Sequence, residues 1–127
     1  MPGPLGLRHR TPLAGGAHGS EAHRGSRSRL FLESAAYRAE HFTTCEADRP
    51  LLVQFCANEP ATLASAAKLV QSQCDGVDLN LGCPQRIAKR GNYGAYLMDD
   101  LPRVQALVHE LYHELHVPVT VKVCASV

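Results

Sequence analysis

The sequence has no apolar run of eighteen or more residues, so it offers no membrane-spanning helix, which needs about twenty. Metal-finger spacing is missing as well. The five cysteines (Cys45, Cys56, Cys74, Cys83 and Cys124) form no C-x-x-C pair and no short Cys/His ladder, which argues against a structural zinc site. Their odd count, with no secretory signal pattern, points to a reducing setting, and cytoplasm is the expected location. Charge of one sign is scarcely in excess, the net being +1. Finally, 127 residues are too few for two independent cores or for a complete (β/α)8 barrel, which takes roughly 200–250 residues.

Enough apolar material is present for one core, 45% of the chain. The near-neutral total hides an asymmetry. Residues 1–29 carry Arg8, Arg10, Arg24, Arg27 and Arg29 against Glu21 alone, whereas residues 30–127 carry eight bases against eleven acids. The Gly/Arg/His/Ser-rich head has no period of 2 or 3.6 and reads as disordered, with residues 30–127 as the folded body.

The body reads as alternating helices and strands. Residues 33–40 have helix-forming composition. Leu51-Leu-Val-Gln-Phe-Cys-Ala57 is a short, mostly apolar run suited to a strand buried on both faces. A helix follows to about Gln73, capped by Asn58 with Pro60 in its first turn. Val77-Asp-Leu-Asn-Leu81 reads as a second strand and residues 82–98 as a loop rich in glycine and basic residues. Asp99 or Asp100 then caps a helix in which Val104, Leu107, Val108, Leu111 and Leu115 fall within about 80° of arc. Pro118 ends it, and Val119-Thr-Val-Lys-Val123 is a third strand. This β-α-β-α-β order predicts a parallel α/β architecture, of barrel or doubly wound type, with function at the C-terminal ends of the strands.

His109-Glu-Leu-Tyr-His113 matches the H-E-x-x-H pattern of zinc peptidases. The helical wheel argues against that chemistry. His109, His113 and His116 lie about 120–180° from the apolar stripe, and Glu114 stands where an apolar residue usually follows the second histidine. These residues are expected to form a solvated face, with no metal site.

The segment Asp78-Leu-Asn-Leu-Gly-Cys-Pro84 ends a strand in a polar side chain, a glycine, a thiol and a proline. Gly82 permits a close backbone approach or an unusual φ, and Arg86, Lys89 and Arg90 bring positive charge nearby. By itself the pattern also fits a turn around an inert buried cysteine. Together with Ile87-Ala-Lys-Arg-Gly-Asn-Tyr-Gly-Ala-Tyr-Leu97, however, it closely resembles the signature of tRNA-dihydrouridine synthases. Val53-Gln-Phe-Cys-Ala-Asn58, Tyr37 and Asp48-Arg-Pro50 look most like the eukaryotic branch acting on uridines of the tRNA D-loop. The similarity covers about residues 30–123.

That resemblance implies a TIM barrel binding FMN, which reduces the uridine C5=C6 bond in tRNA and is recharged by NADPH or NADH. It matches Cys83 to the acid that protonates C5, Gln54 and Lys122 to flavin contacts, and Asn80 to an active-site asparagine. Lys89 and Arg90, with Arg86 beside them, would meet tRNA phosphates. The family's first strand, its later strands and its FMN-phosphate loops have no counterpart here. The expectation is therefore a partial (β/α)8 barrel of three or four β/α units, truncated at both ends. Its alternative is a non-catalytic fragment, at best a weak RNA-binding module.

Overall fold

The structure is a computed structural model and describes residues 8–10, 27–82, 84 and 86–124, the side chains of 8–10, 27 and 87 excepted. Four parallel strands form one sheet in sequential order: β1 (Arg8–Arg10), β2 (Leu51–Phe55), β3 (Gly76–Asn80) and β4 (Val119–Lys122). Five helices accompany them: α1 (Arg27–Glu33), α2 (Ala35–His41), α3 (Pro60–Lys68), α4 (Arg86–Gly91) and α5 (Leu101–Glu114). Parallel neighbours need a crossover. Here α3 supplies it between β2 and β3, and α4 with α5 between β3 and β4.

The register fixes what each face of the sheet presents. Leu52 pairs with Gly76, Gln54 with Asp78 and Phe55 with Leu79. Asp78 pairs in turn with Thr120, and Asn80 with Lys122. Because side chains alternate along a strand, Leu51, Val53 and Phe55 share a face with Val77 and Leu79. These residues are fully buried and form one cluster with Phe31 of α1, Leu63, Ala66 and Ala67 of α3, and Leu107 and Leu111 of α5. Phe31 packs edge-on against Phe55 with ring centroids 5.5 Å apart, and each such fully buried side chain contributes about 1.5–3 kcal/mol. The opposite face carries Gln54, Asp78, Asn80, Thr120 and Lys122. Helices therefore line one side of the sheet, and a polar row lies on the other.

The strand ends away from the site are tied by an ion pair. Arg49 Nη1 donates to Asp75 Oδ1 at 2.9 Å and Nη2 to the Ser72 carbonyl at 3.0 Å. Asp75 Oδ2 accepts from the Leu51 amide at 2.7 Å, and the Asp75 amide donates back to the Leu51 carbonyl at 2.8 Å. The start of β2 is thus pinned beside that of β3.

The helix predicted over 33–40 is α2, which starts after Ser34, whose backbone is extended and whose Oγ accepts from the Tyr37 amide; α1 precedes it as a further helix that the sequence did not announce. Glu59, not Asn58, caps α3: its carboxyl oxygens accept from Ala61 N and Thr62 N at 3.1 and 2.6 Å. Asn58 instead donates to the Gly91 carbonyl at 2.8 Å. Asp100 caps α5. The segment 82–98, expected as a loop, holds α4 and a 3-10 turn, Gly94–Leu97. Ala88, Tyr93 and Leu97 are buried in the common cluster, and that inward anchoring gives order to a stretch whose composition reads as loop. Within residues 1–29, the described residues are the edge strand β1 and the first turn of α1. A three-residue strand needs only backbone pairing with β2, so Arg-His-Arg carries no apolar alternation to announce it.

Candidate functional site

The C-terminal ends of β2, β3 and β4 bring three of the sequence-predicted residues, Gln54, Asn80 and Lys122, onto one face of the sheet. Gln54 is 3% exposed, Asp78 4% and Asn80 9%. Such polar groups are tolerated in a core only when hydrogen-bonded, and these bond to one another. Gln54 Nε2 donates to Asp78 Oδ2 at 2.6 Å, Asn80 Nδ2 donates to Gln54 Oε1 at 3.0 Å, and Asn80 Oδ1 accepts from the Gly82 amide at 2.9 Å. On the far side, Thr120 Oγ1 donates to Asp78 Oδ1 at 2.6 Å. The network crosses three strands within a single face of the sheet.

Lys122 lies in register with Asn80 and is exposed. This places a cation at the end of the row, where β4 is the outer strand. Gly82 is needed for the same assembly. A Cβ there would stand 2.7 Å from Cys124 Sγ and 2.9 Å from the Cys124 amide nitrogen, so β3 and the chain leaving β4 approach too closely for any larger residue. The Leu81 amide also donates to the Lys122 carbonyl at 2.8 Å, continuing the β3–β4 pairing.

Cys83 lies outside the described residues. Its described neighbours are Gly82, buried, and Pro84, exposed, whose carbonyl accepts from Tyr96 Oη at 2.9 Å. Arg86, Lys89 and Arg90 are exposed on α4. The Asn58–Gly91 bond holds the end of α4 against the β2–α3 junction, and Arg103 Nη1 donates to the Asn58 carbonyl at 3.0 Å. The helix that carries the three basic side chains is thus tied at its C-terminal end to the β2–α3 junction.

Sequence reasoning missed Asp78 and Thr120 as members of the site. Asp78 had a readable signal, an acid inside an otherwise apolar buried strand two residues before Asn80. Thr120 had almost none. Of the other ionisable groups, Cys74 is buried near the Arg49–Asp75 pair, and burial pushes its thiol above its usual range. That makes it a packed, unreactive side chain.

His109 and His113 are exposed with ring centroids 4.2 Å apart, on the side of α5 away from buried Leu107 and Leu111. Among the described residues no three His, Cys, Asp or Glu side chains group so as to hold a metal ion, and no helix is long and apolar enough to cross a membrane.

The row sets two side-chain amides on one face of the sheet, with Lys122 in register at its end. The chain is similar to proteins of one family. The profile of the dihydrouridine synthase family matches residues 27–125. A Saccharomyces cerevisiae tRNA-dihydrouridine(16/17) synthase is 50% identical over 99 residues, covering 76% of this chain and 23% of the yeast protein. The Schizosaccharomyces pombe tRNA-dihydrouridine(16/17) synthase is 46% identical over 98 residues, covering 76% and 25%. A human tRNA-dihydrouridine(20a/20b) synthase-like protein is 40% identical over 88 residues, covering 69% and 28%. The chain spans about a quarter of the length of these curated relatives.

Proposed function

Since the chain belongs to the dihydrouridine synthase family, we propose that it forms part of an FMN-dependent enzyme that reduces uridine to 5,6-dihydrouridine in tRNA, with NADPH or NADH as the ultimate reductant. Higher identity to the (16/17) synthases than to the (20a/20b) protein favours the D-loop uridines at positions 16 and 17. The buried amide pair Gln54–Asn80, with Lys122 beside it at the C-terminal ends of parallel strands, carries this reading.

The wall around the site supports a partial (β/α)8 barrel. A doubly wound sheet has helices on both faces, whereas a barrel keeps them outside and fills its interior from the other face. Here the described helices α1, α3 and α5 pack on one face and the polar row occupies the opposite one.

When bound, FMN supplies a hydride to C6 of the uracil ring. The residues of this chain do the rest. Gln54 orients the pyrimidine edge of the flavin through its side-chain amide. Lys122 places positive charge beside the flavin oxygen and nitrogen that become electron-rich on reduction. Asn80 hydrogen-bonds the uracil. Cys83 Sγ gives its proton to C5, and a thiol suits that task because its ordinary pKa, about 8.5, keeps it protonated near pH 7. Arg86, Lys89 and Arg90 hold the tRNA backbone through its phosphates.

Titrating the chain into FMN tests the cofactor assignment. Quenching of flavin fluorescence is expected, and weaker quenching in Lys122→Met. No quenching at any protein concentration would sink the reading that this chain holds the flavin by itself. A second reading, RNA binding without catalysis, draws on the exposed α4 cations. Under it, tRNA binding would be retained with no flavin bound. Changing Arg86, Lys89 and Arg90 together should then flatten the log–log salt dependence by roughly 2–3, as three lost phosphate contacts require.

A further inference from the structure

We propose that Asp78, braced by Thr120, is the positioning residue that sets the direction of the side-chain amides of Gln54 and Asn80; its importance for a ligand rests on the reading of this face as the flavin and uracil site. A side-chain amide is almost symmetrical in shape, so packing cannot decide which way its oxygen points, and hydrogen-bond partners must. Three bonds run head to tail in one direction: Gly82 N–H to Asn80 Oδ1, Asn80 Nδ2 to Gln54 Oε1, and Gln54 Nε2 to Asp78 Oδ2. The two ends enforce that direction. A backbone amide can only donate, and the two Asp78 carboxyl oxygens accept from Gln54 and Thr120. Thr120 Oγ1, 2.6 Å from Asp78 Oδ1, holds the second carboxyl oxygen and keeps Oδ2 turned to Gln54.

Consequently Asp78, together with the Gly82 N–H at the other end, biases whether a ring on this face meets N–H or C=O from each amide, at residues it does not itself offer to the ligand. The register explains how an acid acquires this role. Gln54, Asp78 and Thr120 occupy one row across β2, β3 and β4, and Asn80 stands one pleat further along the same face.

Replacing Asp78 by Asn tests the assignment, because Asn keeps the shape but can donate as well as accept. In the 15N-labelled 127-residue chain, Asp78→Asn is expected to shift or double the side-chain NH2 signals of both Gln54 and Asn80. Exchange of the Gly82 amide should quicken by roughly tenfold, the scale of one lost hydrogen bond. Asp78→Glu, which restores an acceptor-only end, should return the amide signals to single positions. Unchanged Gln54 and Asn80 signals in a folded Asp78→Asn chain would overturn the proposal and leave Asp78 a packing residue.

Should Asp78→Asn not fold, Thr120→Val takes its place, since it loosens the carboxyl without removing it. The Gln54 signal should move, and no movement overturns the proposal. FMN titration of the same samples separates the two readings. If wild type binds no FMN while the amide signals respond as expected, the reading that this chain holds the flavin by itself fails and Asp78's orienting role stands. If wild type binds FMN and the amides ignore Asp78→Asn, the reverse holds.

Discussion

At the residue scale, Gly82 shows a single side chain deciding how two strands end. Any Cβ at this position would overlap Cys124 Sγ, and behind it the Cys124 amide nitrogen 2.9 Å away, which belongs to the backbone and cannot turn aside. Gly82→Ala should therefore destabilise the chain by about 1–3 kcal/mol, the usual cost of overpacking, read as a lower urea midpoint at unchanged slope. An unaltered midpoint would mean that the chain after β4 stands further from β3 than described. Leu107→Ala, by contrast, removes buried atoms from the helix-side core and should cost about 2–5 kcal/mol, leaving the polar face intact. Gly82 was legible in the sequence because a glycine closing a buried strand has few other uses. Asp78 was visible but unassigned, since its partner Thr120 lies 42 residues away in sequence and only the strand register joins them.

At the element scale, α3 begins on a carboxyl rather than on the amide that its sequence favoured. Asn58 is a better intrinsic cap than Glu59, but the fold engages it with the Gly91 carbonyl, and tertiary pairing outweighs local preference. Hydrogen bonding from Thr62 holds the Glu59 carboxyl below its usual range, against a smaller opposing push from burial. The sign of the pH effect follows. A depressed pKa makes the cap's contribution complete above the ordinary glutamate value, about 4.3, and lost as pH falls through the lower folded value. Glu59→Gln should consequently be less stable than wild type at pH 6–7, by about 0.5–1 kcal/mol, with the gap closing towards pH 3 in thermal melts. A gap that stays constant over that range would exclude the cap as its source.

Elements with one continuous apolar stripe, such as α5, were readable because burial imposes a 3.6-residue period. In α4 and the turn after it, Ala88, Tyr93 and Leu97 reach the core at uneven spacing, so composition alone spoke for a loop. Strand β1, with backbone pairing as its bond to the sheet, gave no side-chain pattern to read.

At the scale of the whole molecule, the sheet is unequal from centre to edge. β2 and β3 pair on both sides and bury Val53, Phe55, Val77 and Leu79 completely. β4 pairs only with β3 in this sheet, and Val121 and Val123 are 39% and 54% exposed. Amides with few buried neighbours open by local rather than global unfolding. Native-state hydrogen exchange should therefore rank the strands. Val77 and Leu79 amides should exchange only through global unfolding, and their rates should rise with denaturant along the full equilibrium slope. The amide of Val123, beyond the last paired residue of β4, should exchange faster and with little denaturant dependence. This ordering bears on the site, because Lys122 sits on the less protected strand while Gln54 and Asn80 sit on the protected pair. The amide pair would then be held in place before any ligand arrives, whereas the cation would gain order from one. Saturating FMN should slow exchange at Thr120 and Val121 more than at Val77 and Leu79. Equal slowing across all four amides would show instead that the ligand stabilises the sheet as one unit.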